Sequence, residues 1–175
     1  TGDLEFAALS LLGPVLQSFW AGTELPALAK RASEHSRAIQ RLRQELPQES
    51  HDLHYQATLN LLGESADPCI LTGKAIDEEQ KVRHYTATHN ITLLALFHLN
   101  KLTLHFLFGH VGQALSHAME VEKNAAGITP FMGTGVFHFY DALAHLADPP
   151  AGGEARDGAL ARGRRLHALR PATHL

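Results

Sequence analysis

The sequence predicts an all-α fold of stacked antiparallel helical hairpins. Three observations predict it. Apolar residues recur at helical spacing along nearly the whole chain, the strict alternation that marks strands is almost absent, and short breaks marked by Gly or Pro separate the helical runs. Helices joined by such short breaks must pack side by side, as a bundle or as a row of hairpins.

The elements follow in order. Residues 3–20, DLEFAALSLLGPVLQSFW, carry Leu4, Ala8, Leu11, Leu12, Val15, Leu16 and Phe19 at helical spacing behind Asp3, which suits the N-cap region. Gly13-Pro14 is expected to kink or split this helix, and Gly22 closes it. A second helix starts at Thr23 and Glu24 with Pro26 in its first turn. Leu28, Ala32, His35, Ile39 and Leu42 share one face of it, opposite its charged residues. Pro47 reads as an interruption, followed by a third helix over 49–62 with Leu53, Ala57, Asn60 and Leu61 on one side. Residues 63–76 read as a loop, punctuated by Gly63, Asp67-Pro68 and Gly73. Asp77, Glu78 and Glu79 suit the N-terminus of a long apolar helix that runs to Phe108. Two more helices follow at 110–125 and 136–147, with a Gly-rich loop at 127–135 between them. Pro149-Pro150 and Gly152-Gly153 then separate a helical-repeat region, 1–148, from a poorly defined tail, 149–175.

Composition narrows the function. Of the 175 residues, 45% are hydrophobic and 19% charged, as in a globular chain, and the formal net charge is −3. That balance gives no electrostatic footprint for nucleic acid. Arg156, Arg162, Arg164, Arg165 and Arg170 cluster in the tail without interleaved aromatics, the pattern of a solvated helix face. The most apolar window, residues 91–108, contains Lys101, which alone costs roughly 2.5–3.5 kcal/mol at the centre of a membrane helix. No membrane span is expected, and a helix buried in protein fits better. The single cysteine, Cys69, excludes an internal disulfide and points to a reducing cytoplasm. It follows Pro68 in a polar loop with no His near it in sequence, so an inert thiol is expected. The chain opens without an initiator Met, which suggests a segment of something larger.

Within DPCILTGKAIDEE (67–79), TGKA resembles the end of a phosphate-binding loop. Such a loop needs Gly where Pro68 stands and Ser or Thr where Ala75 stands. Proline has no N–H for a phosphate, and alanine has no oxygen for a metal. Nucleotide chemistry is therefore not expected, nor any other cofactor.

The strongest local pattern is LFGHVGQALSHAMEVEK (107–123). Gly109 ends one helix, Val111 fills the corner, and Ala114 and Ala118 are small where two helices cross closely. This is the turn of a tetratricopeptide-like hairpin, and Gly22, Leu25 and Ala29 make a looser copy. A piece of such a solenoid should expose apolar ends.

At YQATLNLLGESADPCILTGKAIDEEQ (55–80), NKLTLHFLFGHVGQAL (100–115) and FHFYDALAHLA (137–147), with GDLEFA at the start, the chain resembles a family. It is that of very large bacterial signalling proteins joining a serine/threonine kinase-like domain, an AAA-type ATPase, a helical repeat region, a GAF sensor and a histidine kinase. The likeness covers roughly 2–147 and points to the helical region after the ATPase; the tail after Asp148 departs from it. It implies a non-catalytic segment relaying signals between domains of the same polypeptide or to protein partners, with any oligomerisation made through the parent. The family's catalytic residues lie in domains absent from these residues, and no histidine here inherits a phosphorylation role. The loop with Pro68 and Gly73 becomes structural punctuation between hairpins or a contact loop towards the ATPase.

Thirteen histidines invite a metal test. His138, Asp141 and His145 share a helical face, but the two histidines stand about 10 Å apart along the axis, too far to share one zinc. In the stripe His98, Lys101 and His105 the lysine repels a cation, and His51 with His54 lacks a third ligand. The six residues His98, Lys101, His105, His138, Asp141 and His145 are instead expected to line a partner-binding groove. A stand-alone peptide-binding adaptor and a His-rich metal protein or hydrolase are the competing readings.

Overall fold

A computed structural model of the chain describes residues 3–129 and 133–147. The described residues are all-helical: α1 (Leu4–Trp20), α2 (Leu25–Leu42), α3 (Glu45–Leu61), α4 (Glu78–Ala87), α5 (Ile91–Leu107), α6 (Val111–Lys123), a 3₁₀ turn (Ala125–Gly127) and α7 (Gly133–Ala147). The principal packing contacts join helices one or two places apart: α1 with α2 and α3, α2 with α3, α3 with α5, α4 with α5, α5 with α6 and α7, α6 with α7. Thus α1, α3, α5 and α7 form a continuous row, with α2 packed on α1 and α3, α4 on α5, and α6 on α5 and α7. Nearest-neighbour packing of this kind is what stacked hairpins produce.

The helix ends show why these breaks fall where they do. At the ends of α1, α3, α4 and α5 an amide bonds a carbonyl five residues back: Thr23 to Ser18, Glu64 to Leu59, Asn90 to Tyr85, His110 to His105. Each such cap holds one left-handed residue, Gly22, Gly63, His89 and Gly109, at φ of 72°, 80°, 49° and 80°. Three of the four are glycine, as the backbone prefers. The exception, His89, sits where no break was expected. The helix predicted from 77 to 108 is in fact two, because His89 takes the glycine's place and the Asn90 side chain then accepts from the Leu93 N–H to cap α5.

Two other expectations are corrected. Helix α3 begins at Glu45, before Pro47 rather than after it. In the first turn a missing N–H removes no intrahelical bond, so the proline is tolerated there. Gly13-Pro14 does not split α1, which runs unbroken through Pro14.

The core lies along the row of first helices. Leu53, Tyr85, Leu99, Leu102 and Leu104 are fully buried in one cluster with Ala114, Ala118 and Val121, and Val111 packs against it. Each buried leucine there contributes about 2 kcal/mol. Leu28 and Ala32 of α2 bury against Val15, Tyr55 and Leu59. Helix α3 is enclosed on most sides, not on one face: Ser50, His51, His54, Gln56, Thr58 and Asn60 are all buried. Helix α4 is tied to it by Glu49, which accepts from the Tyr85 hydroxyl at 2.7 Å and pairs with Lys81 at 2.5 Å. Among the described residues no helix is long and apolar enough to cross a membrane. The break at Pro149-Pro150 and the arginine-rich tail lie outside the described residues.

Candidate functional site

Two polar clusters flank α5, and the six groove candidates divide among them and α7. The first cluster is the loop after α3. Asn60 Nδ2 donates to the carbonyls of Pro68 (3.1 Å) and Ile70 (2.7 Å), while its Oδ1 accepts from Gln56 Nε2 (2.9 Å). Gln56 Oε1 in turn accepts from the Ala75 N–H at 2.9 Å. Glu78 accepts from the Leu71 N–H at 2.5 Å and receives Lys101 Nζ on both oxygens at 2.9 Å. Lys101 also donates to the Cys69 carbonyl at 2.5 Å. A Cβ on Gly73 would come to 2.7 Å from Gln56 Nε2, so a larger residue here would push the Gln56 amide out of its bonds. The amides that a phosphate would want are therefore engaged: Cys69 N–H by Asp67, Gly73 N–H by the Ile76 carbonyl, Leu71 and Ala75 as above. Gln56, Asn60, Asp67 and Glu78 together fasten this loop to α3 and α5.

Lys101 does not line a groove. It is 4% exposed and its ammonium is spent on Glu78 and the loop. Its burial follows from Glu78 capping the loop over it, which turns the charge inward.

The second cluster is a row of imidazoles between α5 and α6. His98 Nδ1 faces His117 Nδ1 at 2.9 Å, which in neutral rings requires one to donate and the other to accept. His117 stacks on His105 with centroids 5.2 Å apart and planes 18° apart, and His105 meets His110 at 5.8 Å. Cys69 closes the row, its Sγ 3.6 Å from His110 Nδ1. The cysteine thus has a histidine beside it, contrary to the sequence expectation. The two are 41 positions apart and meet because the fastened loop lies against the α5–α6 turn.

Burial favours the neutral forms of His98, His105, His117 and Cys69. Burial, reinforced by the neighbouring His98, lowers His117 to about 3. Burial also lowers His98 and His105. Burial, then the Asp67 carboxylate, raises the Cys69 thiol, so it is a poor nucleophile at neutral pH. The row also brings donor atoms together: the Cys69 sulfur and one nitrogen each of His105 and His110 lie within 4.8 Å of one another.

On α7, Asp141 is buried and its Oδ1 lies 3.4 Å from His145 Nε2, while His138 is half-buried beside Phe137. His51 Nδ1 lies 3.4 Å from Asp52 Oδ1. His54 is enclosed by Phe19 and Trp20, donates from Nδ1 to the Ser50 carbonyl at 2.8 Å, and is lowered by burial to about 4. Sequence reasoning found His98 and His105 but missed His110, His117 and Cys69. The available sign was the hairpin turn itself: the turn at Gly109 brings α6 back antiparallel to α5, so His117 on α6 returns level with His98 and His105. Comparisons with protein-family models, with curated proteins and with solved structures returned no match.

Proposed function

We propose that the chain is a non-catalytic helical-repeat segment that holds protein surfaces together, within a large cytoplasmic signalling protein of the kinase and ATPase type that its motifs resemble. The observation that supports this reading best is apolar exposure at both ends of the row. Leu4 and Phe6 on α1 are 52% and 69% exposed, and Phe139 and Leu146 on α7 are 51% and 62% exposed. Phe139 and Leu146 are two turns apart and share a helical face. Terminal repeats of a longer solenoid present such faces to the next hairpin. The mechanism is mechanical: packed hairpins transmit rigid-body shifts from one neighbouring domain to the next.

The test has two steps. The reading frame on both sides of the segment is sequenced, and binding of the flanking domains to the purified chain is measured by calorimetry. The reading predicts ATPase and sensor–kinase sequences in the same frame, and binding that Phe139→Glu/Leu146→Glu weakens by at least about tenfold. A frame that opens and closes around the segment would favour the stand-alone adaptor, and flanking domains that do not bind would overturn the proposal.

A further inference from the structure

We propose that Cys69, His105 and His110 form a binding site for a divalent transition-metal ion of the zinc class. The inference is independent of the scaffold reading and rests on the geometry of three chain segments. Cys69 comes from the loop after α3, His105 from the last turn of α5 and His110 from the N-cap of α6. Their ligand atoms lie within 4.8 Å of one another. The Cys69 Sγ to His110 Nδ1 distance is 3.6 Å. Zinc bonds of about 2.3 Å to sulfur and about 2.1 Å to nitrogen, at the tetrahedral angle, give an S···N edge of about 3.6 Å. Two of the ligands are therefore already at coordination spacing, and the donor nitrogen of His105 lies within 4.8 Å of both.

Further features point the same way. His105 Nδ1 is buried without a hydrogen-bond partner, a state that ordinarily costs stability, so the ring has unused donor capacity. The scaffold around the donors is fixed: the Cys69 N–H is held by Asp67, its carbonyl by Lys101, and the His105 ring by stacking on His117. Lys101, whose charge would oppose a cation, is neutralised by both oxygens of Glu78. One thiolate with two imidazoles selects zinc-class ions over magnesium or calcium, which prefer oxygen. On binding, Cys69 coordinates as thiolate and its proton leaves to solvent. His110 is exposed, so a water molecule completes the tetrahedron. The bound ion would staple the loop to the hairpin turn.

The experiment titrates the dialysed full chain with Co²⁺, followed by displacement with Zn²⁺. One equivalent should bind and produce the thiolate-to-cobalt charge-transfer band with the intense visible bands of four-coordinate cobalt. Cys69→Ser should abolish the charge-transfer band, and His110→Ala should weaken binding by at least about tenfold. His138→Ala, on α7 and outside the site, should bind as the unaltered chain does. His110→Ala changes an exposed ring and so keeps the fold, which lets it decide the matter even if Cys69→Ser unfolds. Binding without a thiolate band, binding unchanged in His110→Ala, or no binding at millimolar cobalt would overturn the proposal.

Discussion

The polar groups on the two flanks of α5 are of similar number but opposite condition. On one flank, Gln56, Asn60, Glu78 and Lys101 satisfy each other and the loop backbone. On the other, His98 and His117 share one contact, His105 keeps a buried nitrogen without a partner, and the Cys69 sulfur has a long contact to His110. A satisfied network in a low-dielectric interior specifies structure, whereas an incomplete one leaves capacity for a ligand. The first flank is therefore where the fold is fixed, and the second is where chemistry remains available.

The comparison breaks most visibly at Lys101. Lys101→Met leaves the Glu78 carboxylate without its cation and the Cys69 carbonyl without its donor, and should cost about 3–4 kcal/mol in urea unfolding. Adding Glu78→Gln should return part of that loss, since removing both members of a buried pair is milder than removing one.

Acid tests the other condition, neutral buried rings. The folded pKa of His54 lies near 4, below its ordinary 6.5, so between these values the unfolded chain binds more protons than the folded one. Stability is therefore full above about pH 6.5 and falls as pH drops towards 4, by about 3 kcal/mol from His54 alone. His117, His98 and His105 add to the same trend, their folded values also being lowered. Unfolding midpoints measured from pH 7.5 to 4 should show it, and His54→Leu should flatten the slope.

Smaller effects sharpen the picture. Asn60→Ala removes the donor to the Pro68 and Ile70 carbonyls and should cost about 2 kcal/mol by the same urea assay. His89→Gly relieves a left-handed histidine at φ 49° and should raise stability by about 0.5–1 kcal/mol, since the strain relieved exceeds the added entropy of the unfolded glycine.

These sites also mark what the sequence made legible. The face of Leu28, Ala32 and Ile39, the cap at Gly109 and the small Ala114 and Ala118 were readable because each depends on neighbours within two turns. The break at His89 was missed because a left-handed cap without glycine looks like continuing helix, although Asn90 offered a cap residue. Pro47 misled because a proline stops a helix only beyond its first turn. Lys101 was assigned to a partner-binding groove because its true partners stand 23 and 32 positions away. Cys69 and His110 are likewise joined only by the folded loop. Periodicity reports which face is buried, while long-range pairing depends on where a loop is fastened.

Native-state hydrogen exchange of the Leu71 and Ala75 amides tests most directly whether the loop and the hairpins form one cooperative stack. Bonded to Glu78 and Gln56, these two amides should exchange as slowly as those of α3 and lose that protection in Lys101→Met. Exchange at the rate of an open surface loop, unchanged by that substitution, would contradict the account.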